Sequence, residues 1–293
     1  MLNKKITQAY NSNGINRFIH TSIGIPIPFD PDWKRIGFNI SGGADTAILM
    51  YIVLKHISEQ NLDIEVHTIS HIRIWTSRPW QRTVRLNVVK KLKDYFPNIK
   101  MVEHENFIPV EIEMAVIGSV IPVKGEMKSG DQIENSSYAR YIGFRFKLDA
   151  AYCATTRNPE HMSKKGGDPG RDYLTDTIDF DQMVYGPYHT GLFPMQVKPF
   201  MYYTKDQVIC EYFVHDVEEL LNTTRSCEGE TGYMNDASVA EGITNKMVDN
   251  GFENAFIHYT PGDELPECGE CFWCLERNWA IEEAKRKLNV ISS

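Results

Sequence analysis

The sequence predicts an α/β protein with a parallel sheet flanked by helices. Three observations carry that expectation. Short β-rich runs at Lys34 to Ile40, Asp63 to Ser70 and Asn98 to His104 alternate with longer helical patterns, the order of a parallel sheet. The stretch from Asp45 to about Ser58 is apolar almost all round, as in a helix buried on several sides. After a helix start at Ser77 and Pro79, Trp80, Val84, Val88, Leu92 and Phe96 recur every four residues, with Arg82, Lys90, Lys91 and Lys93 on the wet side.

The remaining elements follow in order. Residues 1–33 are polar and then Pro-rich, and read as an extended lead-in. The stretch around Ser137 to Lys147 is helical and runs into a short strand near Tyr152 to Thr156, and Ser163 to Asp172 is a loop. Residues 171–203 are aromatic and rich in Pro and Gly, with no clear period. Thr204 with Gln207 three residues later makes a capping box, and Ile209, Phe213, Val217 and Leu220 form the apolar face that follows. A last helix, from about Cys274 to Leu288, ends in Lys285, Arg286 and Lys287, which suit the negative end of a helix dipole. The division expected is a lead-in over 1–33, a nucleotide-binding α/β domain over 34–203, and a helical C-terminal region over 204–293.

Composition excludes several classes. The chain has 293 residues, a net charge of −8, 42% hydrophobic and 24% charged residues, which is ordinary for a soluble globular protein. The acidic balance makes nucleic acid an unfavoured partner. The longest apolar run, Ala47 to Leu54, is too short for a bilayer and the N-terminus has no apolar leader, so the reading is a cytoplasmic protein with no membrane partner.

The hexapeptide Ser41-Gly42-Gly43-Ala44-Asp45-Thr46 lies between a predicted strand and a predicted helix. Such a turn aims free backbone N–H groups at one point, and the helix dipole adds positive potential there. Gly42 and Gly43 let the backbone bend and approach a ligand, while Ser41 and Thr46 add hydroxyls. Asp45 would repel a bare phosphate. It fits if it holds a Mg²⁺ bridging phosphate oxygens, or if it caps the helix around a plain glycine turn. The absence of a following Lys and of a third glycine excludes the two common glycine-rich phosphate motifs.

Six cysteines are few for a disulfide scaffold, yet three of them, Cys268, Cys271 and Cys274, fall within seven residues. With Cys227 as the fourth ligand they could close a tetrahedral shell around Zn²⁺, leaving no place for water, so the ion would be structural and pin the last helix. An iron–sulfur cluster, a redox pair and free thiols are the alternatives. Cys153 and Cys210 read as small core residues.

The hexapeptide resembles the Ser-Gly-Gly-x-Asp-Ser signature of the PP-loop ATP pyrophosphatases, with Thr46 in the last place. The resemblance implies a Rossmann-like PP-loop fold and an ATP site. Ser226-Cys227, then Cys268-Gly269-Glu270-Cys271, Cys274 and Arg277, together with the stretch holding Pro199 and Lys205, resemble the tail of the 7-cyano-7-deazaguanine synthases within that superfamily. Here forty residues, Glu228 to Glu267, separate the two cysteine segments, and "HTISHIRIWTSRPW" stands where the family has a substrate-side Arg-His. The resemblance implies a ligase that adenylates a deazapurine carboxylate and then its amide, with ammonia as nitrogen donor and ATP, Mg²⁺ and Zn²⁺ as cofactors. Ser41, Gly42, Gly43, Ala44 and Thr46 would bind pyrophosphate, Asp45 would hold Mg²⁺ and be the catalytic residue, and Cys227, Cys268, Cys271 and Cys274 would hold zinc. Arg73, Arg78, Arg140 and Arg145 are candidates to neutralise pyrophosphate, although any single one of them reads more readily as a solvated helix-face charge. The insertion at about 228–267, with Ile243, Met247 and Val248 at helical spacing, reads as decoration, with a lid or a homodimer contact as alternatives. A PP-loop enzyme adenylating a tRNA base or another small carboxylate, and a non-catalytic nucleotide-binding zinc protein, are the competing functions.

Overall fold

The computed structural model describes residues 1–72, 81–107, 130–163, 171–185, 195–227, 267, 269 and 271–291. The expected helix start at Ser77, Pro79 and Trp80, the residues Arg73, Arg78 and Cys268, and nearly all of the 228–267 insertion lie outside them.

The sheet is the predicted parallel one. Strands β3 (Arg35–Asn39), β4 (Glu65–Ile72), β5 (Met101–Phe107), β6 (Ala150–Tyr152) and β8 (Met195–Val197) run parallel, and β7 (Val184–Tyr185) adds an antiparallel edge. The order β5-β4-β3-β6-β8-β7 places the first parallel strand in the middle, with its successors on one side and the later strands on the other. That is the doubly wound, Rossmann-like order, and its reversal between β3 and β6 opens a crevice at the strands' carboxyl ends.

Helix α2 (Ala44–Glu59) leaves β3 at that crevice, and its residues from Thr46 to Leu54 are all buried, which accounts for the apolar run. Helix α3 (Gln81–Tyr95) carries the predicted stripe, with Val84, Val88 and Leu92 buried. It also buries Arg85, only 1% exposed, against Glu103 and Glu105 of β5, a buried cation that apolar periodicity does not reveal. Helix α4 (Gly130–Phe146) packs on β3 and β4.

Residues 1–33 are not an extended lead-in. Leu2–Ser12 forms helix α1, and β1 (Phe18–His20) pairs antiparallel with β2 (Pro26–Pro28). Leu2, Ile6 and Tyr10 stand four apart among polar residues, a stripe thin enough to vanish in the composition, yet Ile6 and Tyr10 join the main core. The buried Glu211 carboxylate accepts the backbone N–H groups of Ser22 and Ile23, each at 3.0 Å, and so clamps this segment to the helix that carries Glu211.

The strand expected near Tyr152 to Thr156 begins earlier, at Ala150. Two alanines have little strand propensity, but this strand is buried on both faces beside Gly37, where small side chains fit. Two short helices follow, α5 (Glu160–Ser163) and α6 (Phe180–Met183). Helix α7 (Lys205–Val214) starts with the predicted box, Gln207 Oε1 accepting the Thr204 N–H at 3.0 Å. The chain then breaks at Asp216, whose φ is +52°, so that Leu220 belongs to a separate helix, α8 (Glu218–Thr223). The last helix, α9 (Phe272–Ile291), continues past its basic cluster, so Lys285, Arg286 and Lys287 do not lie in its last turn. Arg286 pairs with Glu283 and Lys287 with Asp206 of α7 instead. Among the described residues the main hydrophobic core draws on positions from Ile6 to Ala284, and a smaller cluster joins Ile69, Ala139, Ile142 and Leu148. Among the described residues no helix is long and apolar enough to cross a membrane.

Under α4, His67 and His104 stack with ring planes 8° apart and Nδ1 of His67 2.8 Å from Nε2 of His104, while Phe146 packs on both. Burial, aided by the neighbouring His67, pushes His104 down to about 4, and burial also lowers His67. A folded-state value below the unfolded value gives stability that is complete above about pH 6.5 and is lost as pH falls toward 4. Denaturant unfolding at stepped pH should show this loss in the wild type and a flatter profile in His104→Asn. Equal slopes for the two proteins would contradict the assignment.

Candidate functional site

The loop Ser41–Thr46 sits at the carboxyl end of β3, in the crevice where the strand order reverses. Gly43 is the N-cap residue of α2 and among the described residues no side chain caps the helix, so its first N–H groups remain available to a ligand at the positive end of the dipole. Gly42 adopts φ +88°, and a Cβ there would lie 2.8 Å from Val84 Cγ1 and 3.1 Å from the Arg85 nitrogen. Its glycine is therefore required twice, by backbone conformation and by the close approach of α3. Gly43 has no such need, since a Cβ there would meet only Ser41 Oγ at 3.5 Å.

Asp45 lies inside the first turn of α2 and points to a buried polar cluster. Its Oδ2 lies 3.4 Å from Lys205 Nζ and accepts the Thr156 hydroxyl at 3.4 Å. Its Oδ1 is buried with no partner among the described residues, an acceptor left over for a cation. The alternative of a capping carboxylate is thereby set aside. The rest of the loop is held from behind: Tyr212 donates to the Ala44 carbonyl at 2.6 Å, and the Arg225 N–H donates to the Gly42 carbonyl at 3.0 Å.

Lys205, the first residue of α7, is 5% exposed and lies between Asp45 and Glu276 of α9, 3.3 Å from Glu276 Oε2. Glu276 is fully buried and also takes both terminal nitrogens of Arg171, at 2.7 and 3.2 Å. Burial works to raise the Glu276 carboxyl, but Lys205 and Arg171 outweigh it and hold it below the usual carboxylate range. Arg171 in turn donates to the Thr156 carbonyl and hydroxyl, at 2.6 and 2.7 Å, and lies over the Trp273 ring at 5.0 Å. The result is a closed set of two buried cations and two carboxylates behind the loop.

Loop and cluster open on one cleft of about 140 Å³, lined by Ser41, Gly43, Ala44, Asp45 and Thr46 together with Lys205, Arg225, Ser226, Cys227 and Trp273. Sequence reading placed the pyrophosphate-side cations at Arg73, Arg78, Arg140 or Arg145. Arg140 and Arg145 are exposed on α4 and do not line this cleft, and the first two lie outside the described residues. Lys205 and Arg225 line it instead. The sequence marks Lys205 only within the stretch that resembles the synthase tail, and the one signal for Arg225 is its place two residues before Cys227.

The sulfurs of Cys227, Cys271 and Cys274 lie within 4.8 Å of one another. Thiolates at about 2.3 Å in a tetrahedral shell stand about 3.8 Å apart, so the three described donors fit a metal ion, or the iron of a cluster, with little movement. Burial pushes the Cys274 thiol up, against a Gly269 N–H that favours the thiolate, as expected of a soft-donor set packed together. No disulfide joins the described cysteines. Arg277 donates to Thr224 Oγ1 and the Leu221 carbonyl, both at 2.8 Å, which brings the Cys227 segment to the start of α9. Through Cys227 the triad is also part of the wall of the cleft. Cys153 and Cys210 stand apart from it, Cys210 buried.

No protein-family model matches the chain, and no curated protein sequence is similar to it. Among solved structures, the chain is similar to the U34-tRNA thiolase NcsA from Methanococcus maripaludis with its 4Fe–4S cluster, at 10% identity over 98% of this chain and 80% of that one, with a TM-score of 0.45. It is also similar to NAD+ synthetase from Burkholderia pseudomallei, at 9% identity over 99% of this chain and 87% of that one, with a TM-score of 0.29. Both scores lie below one half and carry no weight for the chemistry, which rests on the strand order, the loop and the cysteines.

Gly42→Ala should cost about 1–3 kcal/mol in chemical denaturation, from positive-φ strain and the clash with α3. Gly43→Ala should stay within about 1 kcal/mol of wild type, since its Cβ has room. Equal losses in the two variants would mean that the loop is shaped otherwise.

Proposed function

We propose that the chain is an ATP-dependent ligase that adenylates a carboxylate with release of pyrophosphate, and that the acid is a deazapurine carboxylate such as 7-carboxy-7-deazaguanine. The observation that carries the reading is the uncapped start of α2 opening beside Asp45, one of whose oxygens has no partner among the described residues, in a cleft that also holds Lys205 and Arg225. A helix start and two cations suit a polyphosphate, and a lone carboxylate among them suits the cation that accompanies it. The loop and tail motifs supply the identity of the reaction.

In this reading the β- and γ-phosphates lie against Ser41, Gly42, Gly43, Ala44 and Thr46. Asp45 is the residue that would hold Mg²⁺, which when bound neutralises phosphate charge. A substrate carboxylate oxygen attacks the α-phosphorus, the bond to the bridging oxygen breaks, and pyrophosphate leaves. Lys205 and Arg225 face the charge that builds up on the leaving group. Ammonia then displaces AMP from the acyl-adenylate, giving the amide and one proton. A second ATP adenylates the amide oxygen with release of a second pyrophosphate, and loss of AMP and of both protons of the amide nitrogen leaves the nitrile. The site's work is positioning and charge neutralisation. Cys227, Cys271 and Cys274, with Cys268 as the fourth ligand, would hold Zn²⁺.

Purified protein with Mg-ATP, 7-carboxy-7-deazaguanine and ammonium should yield pyrophosphate, AMP and the nitrile, read by mass spectrometry. Pyrophosphate release with other acids or with a tRNA base, and none with this one, would leave adenylation standing with a different acceptor. Nucleotide binding without turnover would make the protein a non-catalytic nucleotide binder. Asp45→Asn should lower pyrophosphate release by about 10²-fold or more while far-UV circular dichroism stays unchanged. Full activity in that variant would remove Asp45 from the reaction.

A further inference from the structure

We infer that the cysteine triad and the nucleotide loop are thermodynamically linked, with Glu276 as the positioning residue that carries the link. The inference rests on the nucleotide reading of the loop.

Two routes join the sites. On the first, the Arg225 N–H, two residues before Cys227, donates to the Gly42 carbonyl at 3.0 Å, so the segment bearing one sulfur is hydrogen-bonded to the loop's positive-φ glycine. On the second, Glu276 lies two residues after Cys274 on the first turns of α9. Its carboxylate sets Lys205, 3.3 Å away, and Lys205 meets Asp45 at 3.4 Å. The same carboxylate holds Arg171, which holds the Thr156 hydroxyl at 2.7 Å, and that hydroxyl reaches Asp45 too. Asp45 is thus approached twice from one carboxylate.

These charges cannot relax one at a time. Glu276 is 0% exposed, Arg171 6% and Lys205 5%, so a shift of α9 would take the buried carboxylate away from both cations and leave Lys205 with Asp45. An ion bonded to Cys227, Cys271 and Cys274 ties the Cys227 segment to the start of α9, and thereby fixes both routes together. Loss of the ion frees that spacing. It lets Lys205 settle on Asp45, where it competes with the cation that a nucleotide brings. Linkage is reciprocal: nucleotide must raise the affinity for the ion by the same factor as the ion raises the affinity for nucleotide.

The test uses the full chain, loaded with Zn²⁺ or stripped by a zinc-selective chelator, and titrated calorimetrically with the Mg²⁺ complex of a non-hydrolysable ATP analogue. The loaded form should bind the analogue about 5-fold or more tightly than the stripped form. Zn²⁺ affinity, read by competition with a chromophoric chelator, should rise by the same factor when analogue is present. In Glu276→Gln the factor should fall toward one while zinc is still bound, and Glu276→Asp should restore part of it. A factor of one in the wild type, or a full factor in Glu276→Gln, would overturn the linkage while leaving the nucleotide reading intact. No analogue binding in either form would overturn the nucleotide reading and the linkage with it. The wild-type reciprocity measurement decides the matter even if Glu276→Gln does not fold.

Discussion

A lysine ammonium held 3.4 Å from Asp45 and 3.3 Å from Glu276 joins three parts of the chain that are far apart in sequence. Lys205 opens α7, Asp45 belongs to the loop after the central strand, and Glu276 rides on the last helix. Each would be an expensive buried charge alone, and together with Arg171 they cancel. The positive end of α2 itself favours the Asp45 carboxylate, and Lys205 adds to that from the other side. The balance of charges explains why the last helix, rather than a neighbour of the loop in sequence, closes the site.

The doubly wound sheet supplies the other half of the arrangement. Because β4 and β5 lie to one side of β3 and β6 and β8 to the other, the turn after β3 has no strand crossing over it. Gly42 lets that turn sit tightly against α3, and the uncapped helix start then faces the open side. The field there is a sum of peptide dipoles and two side-chain cations, tempered by one carboxylate. A phosphate chain accompanied by a divalent ion matches that pattern better than either species alone.

Much of this was legible in the sequence, for physical reasons that differ from element to element. The buried α2, the stripe of α3 and the Thr204–Gln207 box announce themselves because periodicity and capping are local properties. The loop and the cysteine register were visible because each crowds unusual residues into a few positions. Helix α1 was hidden by its sparse apolar stripe, β6 by its alanines, and the true length of α9 by a basic cluster that looks like a helix end but pairs sideways. Arg171, Lys205 and Glu276 were hardest to read. Their role comes from contacts across 105 positions for Arg171 and Glu276, and no local pattern distinguishes a buried charge with a distant partner from one in water.

The central claim is that this loop directs a carboxylate oxygen onto the α-phosphorus of ATP. The most direct measurement is turnover of a carboxylate substrate labelled with ¹⁸O, followed by mass spectrometry of the nucleotide and phosphate products. Adenylation predicts one labelled oxygen in each AMP and none in pyrophosphate. Label in inorganic phosphate, with ADP as the nucleotide product, would show attack at the γ-phosphorus and would contradict the account.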